Sequence, residues 1–103
     1  MSFFGLFGGG NSTDLIEEYL KDGAVVIDVR TVEEFASGHV NDSKNIVLNV
    51  IPGKVADIKK LNKKIIAVCR SGARSGQATT FLQQQGVDVI NGGPWQNVAK
   101  FVN

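Results

Sequence analysis

Four short runs rich in β-branched residues recur along this chain, and stretches with helical spacing separate them; that alternation limits the folds open to it. The runs are residues 24–29 (AVVIDV), 45–48 (NIVL), 64–68 (KIIAV) and 87–90 (VDVI). The first and third are nearly continuous in apolar character, as expected of strands buried on both faces of a parallel sheet. Thr13 or Asp14 caps a helix with Leu15, Ile16, Tyr19 and Leu20 on one side, ending near Gly23. Thr31 and Glu34 have the spacing of a capping box that opens a short helix, with Val32, Phe35 and Ala36 expected to face inward and Gly38 to stop it. Pro52-Gly53 interrupts the pattern before Val55, Ile58 and Leu61 resume it. Residues 75–85 form a further helix, with Ala78, Phe81 and Leu82 inward. Asn91-Gly92-Gly93-Pro94 is expected to turn the chain into a last helix over 95–101. Strands joined by helices through short links require right-handed crossovers, so the expected class is α/β, a central parallel sheet with helices on both faces.

A chain of 103 residues suffices for one core. Residues 12–103 are read as a single domain and residues 1–11 (MSFFGLFGGGN) as a flexible, apolar and glycine-rich N-terminal segment. Phe3, Phe4, Leu6 and Phe7 suit either a tail that folds back onto the domain or a small docking patch. Hydrophobic residues at 43% and charged residues at 20% argue against wholesale disorder. A net charge of +1 gives no general attraction to nucleic acid or an anionic membrane surface. No run reaches the about 18 apolar residues of a membrane-spanning helix. With no basic residue ahead of the apolar N-terminal stretch, a cytoplasmic setting is expected, reducing enough to keep a thiol free.

One cysteine and one histidine narrow the chemistry further. A lone cysteine excludes an internal disulfide and a dithiol redox pair, and the two residues together fall short of a structural zinc site; no metal and no cofactor are expected. The thiol is Cys69, which opens residues 69–76 (CRSGARSG) where a buried strand meets a helix. In open α/β sheets ligands bind at that edge. A helix N-terminus also offers unpaired N–H groups and the positive end of a dipole, and a curled loop gathers such groups into an anion-binding nest. Gly72 and Gly76 allow the curl and the close backbone approach it needs. Arg70 and Arg74 add charges that cannot be lost. All of these favour thiolate, so Cys69 is read as a nucleophile. The alternative, an inert buried cysteine beside two solvated arginines, fits this loop poorly.

Three motifs in this order resemble the single-domain rhodanese-like sulfurtransferases, and residues 69–86 look much like the phage-shock type. They are Ile27-Asp28-Val29-Arg30 with Glu34-Phe35 and Gly38-His39-Val40, then Cys69-Arg70-Ser71-Gly72-Ala73-Arg74-Ser75, then Asn91-Gly92-Gly93 with Trp95. The resemblance implies a rhodanese fold and ping-pong sulfur transfer. Cys69 would take a sulfane sulfur from thiosulfate or another persulfide donor and pass it to cyanide, a thiol or a protein acceptor. Arg70 and Arg74 match positions that help bind an anionic donor, and N–H groups from Arg70 to Ser75 would hold the outer sulfur of the persulfide. With no second thiol to resolve it, the acceptor must come from outside. Where the family commonly has a Pro/Gly/Ala-rich step after the histidine, this chain has Val40-Asn41-Asp42-Ser43-Lys44, a departure that bears on acceptor access.

Loop length separates sulfur transfer from its nearest alternative. Related phosphatases and arsenate reductases carry an arginine six positions after the cysteine, to grip a tetrahedral oxyanion with both nitrogens. Here Ser75 holds that position and Arg74 comes one earlier, which favours sulfur. A non-enzymatic sulfur carrier serving a protein partner stays open as a third reading. Asp28 and Arg30, at a strand end, are expected to brace the Cys69 loop. His39 is the only imidazole, a type suited to proton transfer near neutral pH, yet after a helix-stopping glycine it is read as bonding helix-end carbonyls. Trp95 either lines the pocket or caps the core. Lys59, Lys60, Lys63 and Lys64 form a basic cluster, read as a solvated face or as a dock for an acidic acceptor. Arg74→Ala is expected to raise the Cys69 pKa and weaken donor binding.

Overall fold

The strand that ends in Cys69 is buried along its whole length, Ile65–Cys69. Such a strand forms only where both its faces are covered and both its edges paired. The computed structural model, which describes residues 12–103, meets both conditions. In chain order the elements are α1 (Ser12–Lys21), β1 (Val25–Asp28), α2 (Val32–Ala36), β2 (Lys44–Asn45), a 3-10 helix (Leu48–Lys54), α3 (Val55–Lys60), β3 (Ile65–Cys69), α4 (Ala73–Gln84), β4 (Val89–Pro94) and α5 (Gln96–Val102). The four strands form one parallel sheet in the order β2-β1-β3-β4. β3 is therefore interior.

Alternate residues of β3 feed two cores. Ile65, Ala67 and Cys69 face α4 and the 3-10 helix, packing with Ile27, Val29, Ile51, Ile58, Ala78 and Leu82. Ile66 and Val68 face α1 and α5, packing with Ile16, Val26, Val40, Val98 and Ala99. Helices thus cover both faces, as the sequence predicts. Each isoleucine or valine buried in these layers contributes roughly 1.5–3 kcal/mol.

Some elements differ from expectation. The capping box at Thr31 forms with both of its bonds, but Val32 is 62% exposed and Ala36 is also exposed. Five residues are too few to bury a face, and only Phe35 of the three turns partly inward. The second strand shrinks to Lys44–Asn45, although the N–H groups of Ile46 and Leu48 still reach the carbonyls of Asp28 and Val29, each at 3.0 Å. Pro52 and Gly53 lie inside a 3-10 helix rather than breaking the chain.

Residues 91–94 are not a turn but the second half of β4. A register shift sets Ala67 opposite Asn91 and Val68 opposite Gly93, leaving Gly92 as the extra residue of a bulge. Only glycine fits at that point. A Cβ on Gly92 would lie 2.8 Å from Ile66 Cγ2 and 3.0 Å from Val68 Cγ1.

Candidate active site

Parallel strands end on the same side, so β1, β3 and β4 deliver their C-terminal residues to one edge of the sheet. Asp28 and Arg30, the Cys69 loop, and Trp95 meet there. The Trp95 N–H donates to the Cys69 carbonyl at 2.8 Å, joining the ends of β3 and β4. The lysine cluster lies elsewhere. Lys64 immediately precedes β3, at the far end of that strand from the thiol, where its Nζ donates to Asp22 at 2.7 Å.

Residues 70–75 curl around the sulfur. Gly72 makes the bend at φ +100°, a conformation that side chains resist, and it precedes the first residue of α4. The Gly72 N–H donates to Cys69 Sγ at 3.0 Å, the Ser75 N–H lies 3.4 Å from it, and the Ser75 hydroxyl 3.3 Å. Cys69 itself is 0% exposed. Burial pushes its pKa up, but hydrogen bonds from the Ser75 hydroxyl and from the N–H groups of Ser75, Gly72 and Ser71 outweigh it. The net shift is downward. Buried and half-ringed by donors, this sulfur can carry negative charge without contact with water.

The two loop arginines have different surroundings. Arg74 is half-buried and engaged by Glu34 of α2, a carboxylate held at a pKa of about 2 by Arg74 and by the Thr31 N–H. Arg70 is exposed and makes no ion pair or side-chain hydrogen bond among the described residues. It lines an open pocket of about 320 Å³ together with Arg30, Glu34, Ser37, Gly38, Trp95 and Gln96. Ser71 and Ala73 are exposed on the outer side of the curl.

Asp28 and Arg30 form a buried pair. Nε and Nη2 of Arg30 reach both Asp28 oxygens at 2.6–3.0 Å, and Nη2 also donates to the Gly38 carbonyl at 2.6 Å. The Trp95 ring lies over this guanidinium, 5.1 Å away. Trp95 thus both lines the pocket and packs against the core that faces α1 and α5. His39 makes its side-chain contacts with Phe35 of α2. Its Nδ1 is 2.7 Å from the Phe35 carbonyl and its ring stacks on that of Phe35 at 3.8 Å. A carbonyl only accepts, so Nδ1 carries the proton.

Sequence reasoning missed two residues of the site. Glu34 has a capping-box role legible from spacing, but its grip on Arg74 depends on α2 lying beside the loop. The sequence alone places Asn91 in a turn. In β4 its carboxamide instead contacts Ser75, Gly72 and Gly93.

A family model, "Rhodanese-like domain", matches residues 12–95. Among curated relatives, a sulfurtransferase of Allochromatium vinosum is 37% identical over 65 residues, covering 63% of this chain and 60% of that protein. Thiosulfate sulfurtransferase GlpE of Stutzerimonas stutzeri is 33% identical over 68 residues, covering 66% and 62%. The match thus spans about three fifths of the length of these relatives. The crystal structure of a rhodanese-related protein from Thermoplasma volcanium superposes with a TM-score of 0.71 at 30% identity, over 92% of this chain and 93% of that one. The family match runs from α1 to the tryptophan after β4, across every strand that builds the loop, and on that ground the chain belongs to the rhodanese-like domain family.

Proposed function

We propose that the chain is a sulfurtransferase working through a persulfide on Cys69. The Cys69 thiolate attacks the outer sulfur of thiosulfate or of a persulfide donor; a new S–S bond forms, and the old one breaks with its electron pair leaving on sulfite or on the donor's thiolate. In the second half an acceptor, cyanide or a thiol or a protein, attacks the outer persulfide sulfur and returns Cys69 as thiolate. The observation that carries this reading is the convergence of the Gly72 and Ser75 N–H groups and the Ser75 hydroxyl on Cys69 Sγ. Those donors stabilise negative charge at the atom that must attack and later leave.

Arg70 is the loop cation available to an anionic donor, and Arg74, held by Glu34, braces the loop. That pairing also argues against phosphate or arsenate chemistry, because Arg74 already spends both nitrogens on a carboxylate. Asp28, Arg30, His39 and Trp95 support the edge of the sheet on which the loop stands. Since Cys69 has no exposed surface, residues 70–75 must give way for a donor to touch the sulfur. A reducing, cytoplasmic setting suits a thiol that has no internal partner.

Intact mass after incubation with thiosulfate tests the reading. Wild type gains one sulfur atom, Cys69→Ser gains none, and cyanide or glutathione removes the adduct. Wild type that takes up no sulfur but hydrolyses phosphate esters would sink it.

A further inference from the structure

Asn91 stands on β4 opposite Ala67. Two backbone groups fix the orientation of its carboxamide: the Gly93 N–H donates to Oδ1 at 2.9 Å, and Nδ2 donates to the Gly72 carbonyl at 3.1 Å. A flipped amide would set donor against donor and acceptor against acceptor. Oδ1 therefore faces Ser75 Oγ, 2.7 Å away, and an oxygen that can only accept takes the hydroxyl proton. Ser75 has one such proton. Cys69 Sγ lies 3.3 Å from the same Oγ, a second acceptor within reach of that one proton.

We propose that Asn91 is a positioning residue for the Cys69 sulfur, its Oδ1 competing with the thiolate for the single Ser75 hydroxyl proton. In the thiol state the hydroxyl points to Asn91 and accepts from S–H. Once residues 70–75 have given way and the sulfur has released its proton to solvent, the O–H turns to Sγ, and a charge-assisted bond replaces a neutral one. Oδ1 keeps the Gly93 N–H, so the turn leaves no acceptor empty. In a persulfide the inner sulfur is neutral and the charge sits on the outer atom, so the hydroxyl swings back to Asn91. The proton of Ser75 follows the charge on Sγ through the cycle, and Asn91 is its resting place.

The charged groups around Sγ are few. Arg70 and Arg74 belong to the loop, Glu34 of α2 holds Arg74, and the Asp28–Arg30 pair closes the end of β1. β4 carries no charged residue, and α4 carries none besides Arg74.

The inference rests on Cys69 as the sulfur carrier, and the test reads the thiol alone. Alkylation of Cys69 by iodoacetamide is followed against pH in wild type, Asn91→Ala, Ser75→Ala and the double variant, with thermal unfolding as a check on the fold. Freed of its competitor, the hydroxyl serves the thiolate, so Asn91→Ala lowers the midpoint by about half a pH unit to one unit, the worth of one hydrogen bond. Ser75→Ala raises it, and in that background Asn91→Ala adds no shift. Simple bracing of the loop predicts the opposite sign, because losing the tie to the Gly72 carbonyl loosens the amides around the sulfur. A raised midpoint, an unchanged one, or a shift that persists without Ser75 overturns the proposal. If Asn91→Ala unfolds, Asn91→Val, which suits a strand, takes its place. A missing thiosulfate adduct with these midpoints intact would count against sulfur transfer and leave the proton competition standing.

Discussion

Arg74 and Glu34 meet through two parallel hydrogen bonds, Nη1 to Oε1 at 2.8 Å and Nη2 to Oε2 at 3.0 Å. The pair fastens the Cys69 loop to α2, and the same carboxylate accepts from the Thr31 N–H at 3.0 Å. One side chain thus caps a helix and anchors a loop. Its pKa falls from the ordinary 4.5 to about 2 on folding. A carboxyl lowered in this way adds stability that is complete above 4.5 and lost as the pH falls toward about 2. Urea midpoints of wild type and Glu34→Gln should therefore differ most at neutral pH and converge across that window. A constant gap would show that the charge is not what holds the loop.

Arg70 should govern donor affinity. Arg70→Ala is expected to reduce kcat/KM for thiosulfate about tenfold, the worth of one charge-assisted hydrogen bond, with Arg70→Lys restoring part of it. Most of the loss should appear in KM, and it should shrink as salt rises. Steady-state kinetics at two ionic strengths check this.

Gly72→Ala should damage the site more than the fold. At φ +100° a side chain costs roughly 1–2 kcal/mol, and its Cβ would lie 3.3 Å from Gly93 Cα. Relieving that strain moves the Gly72 N–H away from Sγ. The rate of sulfur uptake from thiosulfate should drop roughly tenfold or more, while the urea midpoint falls only modestly.

Gly92→Ala should do the reverse. Its Cβ would press on Ile66, Val68 and Val98 together, so the bulge or the core must shift. Overpacking of this kind costs about 1–3 kcal/mol. Equilibrium urea unfolding would show it, and an unchanged midpoint would mean that β4 slides without cost.

Asp28→Ala removes one partner of a fully buried ion pair and leaves the Arg30 guanidinium with only the Gly38 carbonyl and the Trp95 face. Loss of about 3–5 kcal/mol is expected.

The parts legible in the sequence were those governed by local rules. The buried runs around Val26 and Ile66 became strands because nothing but a doubly covered sheet absorbs such residues. Thr31 and Glu34 formed their box because three-residue spacing alone brings the groups together. What escaped was set by tertiary contact. Asn91-Gly92-Gly93 has the chemistry of a turn, yet pairing with Ala67 and Val68 draws it into β4, and the glycines serve a bulge. The run at Ile46–Leu48 has strand composition, but it bends into the 3-10 helix after only two paired residues. The tie from Arg74 to Glu34 escaped as well, because no spacing rule connects the two residues.

The place of β4 after β3 in the chain, beside it in the sheet, also sets an order of events. Cys69 leaves the ribosome before Asn91 and Pro94, and until the last strand docks, β3 has an open edge. In that interval a strand whose five residues end up buried keeps one side unpaired, a ready template for pairing with another chain until β4 closes it.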